Sequence, residues 1–122
     1  MITEDYVSFE VAKLLKDKGF DEKCYVNYNF NGETQHFNYH IPSDGVACPT
    51  LQIAMKWLRE VHKLHIIIQY GNVGQPKDPQ MQYWFEVVDA KGQYCDSNIV
   101  DGNTSYEEAC EAAIKYCLEN LI

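Results

Sequence analysis

A chain of 122 residues with 46% hydrophobic side chains holds enough apolar material for one core, and a single domain over residues 1–122 is expected. A net charge of −8 without any cluster of Lys and Arg disfavours direct nucleic-acid binding, which draws its affinity from neutralised phosphates. No apolar run approaches the roughly 20 residues that cross a bilayer, and Met1-Ile2-Thr3-Glu4-Asp5 lacks the basic and apolar stretches of a secretory signal. A soluble cytoplasmic protein without membrane contact is therefore expected.

In chain order, a first helix is predicted from about Ser8 to Lys18, with Val7, Val11, Leu14 and Leu15 on one side, Phe9 off that stripe and Gly19 as the stop. A hairpin follows. Cys24, Val26, Tyr28 and Phe30 alternate with more polar neighbours up to Asn31-Gly32, a strong short turn signal, and Phe37, Tyr39 and Ile41 alternate on the return. Pro42 to Pro49 reads as a loop, punctuated by two prolines, Ser43 and Asp44-Gly45. Thr50 or a neighbour caps a second helix that reaches about Lys63.

Leu64 to Tyr70 reads as a strand rich in β-branched residues, and Gly71 to Pro79 as a mobile connection. Met81 to Asp89 is the fourth predicted strand, with Tyr83, Phe85 and Val87 on one face and Trp84, Glu86 and Val88 on the other. The chain then reads as irregular from Lys91-Gly92 to about Thr104. Ser105-Tyr106-Glu107-Glu108 is a capping box, in which the serine takes the N3 amide and Glu108 reaches back. It opens a helix expected to bury Tyr106, Ala109, Cys110, Ala113, Ile114, Cys117 and Leu121. The order helix, hairpin, helix, hairpin, helix predicts an α+β fold, a four-stranded antiparallel sheet with the helices packed mainly on one face.

The second helix has more apolar surface than one core-facing stripe requires. Leu51, Ala54, Met55, Leu58 and Val61 share one face, while Ile53, Trp57 and the following Leu64 form a second stripe beside it. Such a helix lies between two layers or is half covered by a partner. On the sheet, alternation assigns Tyr25, Asn27, Asn29, His36, Asn38 and His40 to the face away from the helices, with His65, Ile67, Gln69, Gln82, Trp84, Glu86 and Val88 on the later strands. Ile67, Trp84 and Val88 are the apolar exceptions on that polar face. Either these three or Ile53 and Trp57 are the candidate contact surface for a protein partner or a second copy. Aromatic residues on an open sheet also stack nucleic-acid bases, but the frame here is amide and acid.

The acidity is concentrated at the C-terminal end, where residues 86–122 carry two Lys against eight acids. Glu107, Glu108, Glu111 and Glu119 on the last helix form a candidate acidic face, the mark of an acidic inhibitor or nucleic-acid mimic.

Five cysteines, an odd number, point to a reduced compartment rather than a disulfide framework. Cys110 and Cys117, seven apart on a helix, read as small core hydrophobes. Cys48 lies just before a helix N-terminus, where the dipole lowers a thiol pKa, and Pro49 explains the same segment without chemistry. His36 and His40, four apart on a strand, are about 13 Å apart at strand rise, too far for one zinc unless the strand bulges. His62 and His65 flank the end of the second helix, where a cationic His suits the dipole. Phosphate-loop, dinucleotide, nucleophile-elbow and metalloprotease motifs are absent from the sequence. No catalytic residue, metal ligand or cofactor is assigned; an enzyme or metal protein using Cys48 and the histidines is the remaining alternative.

Cys48 to Glu60, Ser105 to Ile122, Tyr6 to Lys16 and Gly19-Phe20 resemble a family of small uncharacterised proteins of gut Bacteroidales and their phages or mobile elements, over most of the chain. The resemblance implies a bacterial or phage cytosolic accessory protein and carries no activity or catalytic residue. Tyr83 to Leu121, with its strand, glycine-bearing turn and Thr104 to Ala109 segment, is also similar to the C-terminal pattern of HicB-like antitoxins. The expectation from sequence is thus a non-enzymatic protein-protein interaction domain, with the acidic inhibitor as the alternative.

Overall fold

The computed structural model describes residues 1–36, 45–97 and 103–122. Its elements are α1 (Phe9–Asp17), β1 (Val26–Tyr28), β2 (Thr34–His36), β3 (Val46–Ala47), α2 (Leu51–His62), β4 (His65–Asn72), β5 (Met81–Val88), β6 (Tyr94–Ser97) and α3 (Tyr106–Tyr116), which continues into a π-helical turn over Cys117–Leu121. The helix starts follow their caps. Hydroxyls of Ser8, Thr50 and Ser105 accept from the amides of Val11, Ile53 and Glu108 at 3.2, 3.2 and 3.0 Å. The Glu108 carboxylate does not close the predicted box; both its oxygens lie 3.1 Å from the Thr104 hydroxyl instead.

The predicted four-stranded sheet is not what forms. Among the described residues two separate three-stranded antiparallel sheets are present, ordered β2-β1-β3 and β4-β5-β6, so the helix-hairpin-helix-hairpin-helix plan is corrected as well. Each hairpin recruits a third strand from a segment that reads as loop. Val46–Ala47 pairs with β1 on the side away from β2, and Tyr94–Ser97 pairs with β5 on the side away from β4. Strands of two and four residues are too short for alternation to register in the sequence. With partners on both sides, β1 is a central strand. Asn27, expected on an open face, is fully buried, its side-chain amide donating to the Cys24 carbonyl at 3.4 Å.

The turns that join β1 to β2 and β5 to β6 share one construction. Asn29 Oδ1 accepts from the amides of Asn31 and Glu33, and Asp89 Oδ1 from those of Lys91 and Gln93, all at 2.9–3.0 Å. The fourth residue of each turn is a glycine at positive φ, Gly32 at 81° and Gly92 at 77°. Gly32 meets a second demand, because a Cβ there would lie 2.9 Å from the ring of Phe9. That ring sits 5.3 Å from the ring of Tyr28 and beneath the Lys13 ammonium, which explains why Phe9 departs from the core stripe of α1. Gly32→Ala combines backbone strain with this clash and is expected to cost about 1–3 kcal/mol. Gly92→Ala, with open space around it, carries only the backbone part. Urea denaturation of both variants checks the difference.

One hydrophobic cluster joins both sheets and all three helices. Val11 and Leu15 of α1, Val26 of β1, Leu58 of α2, Phe85 and Val87 of β5, and Ile114 of α3 belong to it. Helices α2 and α3 cover one face of the β4-β5-β6 sheet. The end of α3 differs from the predicted pattern. Leu118 is fully buried while Leu121 is half-buried and Tyr106 is 38% exposed. Leu118 follows the buried Ile114 by four residues, the spacing of one helix face, and the π-helical turn of Cys117–Leu121 widens the spiral from there on.

Candidate functional site

The apolar surplus of α2 resolves into a buried part and an exposed part, divided differently from the sequence pattern. Trp57 is only 7% exposed, capped edge-on by Phe20 at 5.4 Å and by His62 at 4.7 Å between ring centroids. Val61, grouped by periodicity with the core face, is 56% exposed, and Ile53 is 46% exposed. Phe20 lies just past the end of α1, so its arrival over Trp57 is a tertiary event that helical periodicity does not encode.

Ile53, Trp57 and Val61 form one wall of an apolar groove of about 560 Å³. Tyr6 and the Cys24–Val26 segment enter from other parts of the chain, with Cys48 and Pro49 at the base. The N-terminal segment is held in place by backbone bonds. Val7 donates to the Pro49 carbonyl at 3.1 Å, and Leu51 donates to the Asp5 carbonyl at 2.9 Å. Tyr6 and Tyr25, both about half exposed, extend the apolar surface at the mouth. The rim carries both signs of charge, Lys23 and Lys56 against Glu22 and Glu60.

The polar groups at the base are already occupied. The Cys48 thiol, fully buried, donates to the Val7 carbonyl at 3.6 Å, and the Tyr28 hydroxyl donates to that same carbonyl at 2.6 Å. Burial pushes the Cys48 thiol up to about 11, against the direction a nucleophile needs. The Cys24 thiol is pushed up to about 11, chiefly by burial and further by Cys48 and Glu22. The Thr50 hydroxyl caps α2. Among the described residues, no three His, Cys, Asp or Glu side chains converge on a point where they could hold an ion. His40 lies outside the described residues, as do Asn38 and the predicted return strand of Phe37, Tyr39 and Ile41.

The other predicted contact residues lie elsewhere. In the β4-β5 register, Ile67 faces Glu86, Gln69 faces Trp84 and His65 faces Val88. Ile67 is therefore diagonal to both Trp84 and Val88, on the sheet face opposite the helices. Trp84 folds down over the backbone of Gly71, where a Cβ would come within 2.9 Å of the indole. The five candidate residues thus divide between two surfaces, Ile53 and Trp57 in the groove and Ile67, Trp84 and Val88 on the sheet.

The predicted acidic face is partly spent within the fold. Glu111 Oε1 accepts from the Ser8 amide at 3.1 Å, at the start of α1, and Glu108 is engaged by Thr104. Glu107 and Glu119 remain exposed. Glu107, Glu108 and Glu111 line a shallow hollow with Glu4 and Asp5, into which Lys115 also reaches.

Three of these groove residues were legible as apolar, Ile53, Trp57 and Val61. Tyr6, Tyr25 and the mixed-charge rim were not, because they come from segments far apart in sequence. No helix among the described residues is long and apolar enough to cross a membrane. Comparison with family models, with characterised proteins and with solved structures finds no match.

Proposed function

We propose that the chain is a non-enzymatic protein-interaction domain that takes an apolar segment of a partner protein into the groove between α2 and β1. The observation that carries this reading is the exposure of Ile53, Val61, Tyr6 and Tyr25 around a concave surface that has Trp57 in its α2 wall. Aliphatic and aromatic side chains in a pocket with a polar surround are what an anchoring residue of a partner requires. The rim of two lysines and two glutamates complements a peptide flanked by both signs of charge better than a small ligand of one sign. Engaged hydroxyls and raised thiols at the base favour binding over chemistry. A cytosolic setting accords with five free cysteines.

A charge placed in the groove tests this without loosening the fold. Ile53 is the N3 residue of α2 behind the Thr50 cap, so Ile53→Glu creates a Thr-x-x-Glu capping pattern and is expected to leave stability unchanged or raise it by a few tenths of a kcal/mol. Gln52→Glu adds the same charge outside the groove lining. Titration with the neutral apolar dye Nile red is expected to show saturable binding to the native chain and to Gln52→Glu, and its loss in Ile53→Glu. Equal binding to all three, or to none, would contradict an open apolar groove.

A further inference from the structure

We infer that the outer edge of β4 is a pairing site for β4 of a second copy, joining two β4-β5-β6 sheets into one continuous antiparallel sheet around a two-fold axis. The inference uses none of the residues that line the groove.

The free edge follows from the hydrogen-bond pattern of β5. The Tyr83 amide donates to the Asn103 carbonyl at 2.8 Å and the Tyr83 carbonyl accepts from the Asn103 amide at 2.6 Å, so both backbone groups of Tyr83 point away from β4. Its partner Tyr70 is then a non-hydrogen-bonded pair in the β4-β5 ladder, as are Ile68 opposite Phe85 and Ile66 opposite Val87. The bond from the Val73 amide to the Gln80 carbonyl, at 2.9 Å, confirms that the odd-numbered residues of this strand face β5. Ile66, Ile68 and Tyr70 consequently turn their N–H and C=O groups outward. Among the described residues, no backbone group bonds this side of β4.

Edge strands of monomers are normally blunted by lysine, proline, a bulge or shortness. This edge has none of these. His65–Asn72 is eight residues long, pairs with β5 in unbroken register and contains no Lys, Arg, Asp, Glu or Pro. Three consecutive isoleucines give it strong strand propensity. In a chain of net charge −8, a neutral strand is also a place where two copies meet without like charges facing each other.

A second copy fits better than a foreign strand because the sequence is complementary to itself about Ile68. With Ile68 on the two-fold axis, Ile68 exchanges both backbone bonds with Ile68 of the second copy, and Ile66 exchanges them with Tyr70. All three outward-facing residues are satisfied at once. On the helix side of the sheet, Tyr70, which is 57% exposed and rests on Tyr83 at 4.5 Å, gains an isoleucine neighbour. On the opposite side, Ile67 faces Gln69 of the second copy, and the two patches of Ile67, Trp84 and Val88 merge across the axis.

The test is the solution mass of the full chain by light scattering across concentration, under reducing conditions, together with amide hydrogen exchange. A dimer is expected, with the Ile66, Ile68 and Tyr70 amides protected as concentration rises. Ile67→Lys places a charge on the exposed face beside the axis and is expected to weaken dimerisation by more than about tenfold. Tyr70→Pro removes an N–H that β5 does not use and should have the same effect, which keeps the test intact if either variant folds poorly. A chain that stays monomeric up to millimolar concentration would overturn the inference. So would a dimer whose β4 amides exchange as they do in the monomer, since it would use another surface.

Discussion

Trp57→Ala is expected to destabilise the fold by about 3–5 kcal/mol, a large share of what a domain of this size has. The indole is 7% exposed and closed between Phe20 and His62, so its removal leaves a cavity where α2 meets the end of α1. On the sequence pattern alone Trp57 belongs with Ile53 as a contact residue, and the same substitution would then weaken association while sparing stability. Urea denaturation separates the two roles. A large drop in midpoint at unchanged slope marks a core residue, and a variant as stable as the native chain would mean that the tryptophan is not enclosed.

Raising the pH is expected to unfold the protein well before its surface charges alone would require. Burial pushes the thiols of Cys24, Cys48 and Cys110 up to about 11, whereas in the unfolded chain they ionise near 9. Between these values the native state holds protons that the unfolded state has released, so stability falls as pH rises through this window and is fully present below it. The loss is roughly 1 kcal/mol per thiol for each pH unit. The Tyr28 phenol is also pushed up, first by burial, and its bond to the Val7 carbonyl requires the proton it keeps. Denaturation curves below 9 and approaching 11 should show this decline. Replacing Cys110 with Ala should lessen its pH dependence even if it lowers stability at neutral pH. A stability independent of pH across that window would mean the thiols are not buried as described.

The local grammar of the chain is largely readable, and its long-range pairing is not. Ser8, Thr50 and Ser105 announce their helices because capping is a matter of a few adjacent residues. Strands β4 and β5 are long enough for alternation and β-branching to declare them. Val46–Ala47 and Tyr94–Ser97 are too short for either signal, yet their pairing with β1 and β5 decides that two sheets form rather than one. Asn27 shows the consequence. A polar residue in an alternating strand reads as solvent-facing, and only the third strand beside it makes the position interior. Lys63 ends α2 at φ 58°, a left-handed cap that a glycine would announce and a lysine conceals.

The same division holds for the groove. Helical periodicity correctly gives α2 surplus apolar residues, but which of them remain exposed depends on what arrives from elsewhere. Phe20 encloses Trp57, while nothing among the described residues encloses Ile53 or Val61 to the same degree. Tyr6 reaches the mouth because the segment from Asp5 to Val7 bonds across Pro49 and Leu51. In the acidic helix, charge count suggests one continuous face, whereas the Glu111 carboxylate serves the start of α1 and the Glu108 carboxylate accepts from the Thr104 hydroxyl.

The measurement that bears most directly on the groove is photo-cross-linking in the cells that make the protein, with benzoylphenylalanine placed in turn at Ile53, Val61 and, as a control, the exposed Lys13 of α1. A partner-binding groove predicts one discrete adduct from both groove positions and none from Lys13, with the cross-linked peptide carrying an apolar anchor flanked by charges of both signs. No adduct from Ile53 or Val61, or the same adducts from Lys13, would contradict a binding role for this surface.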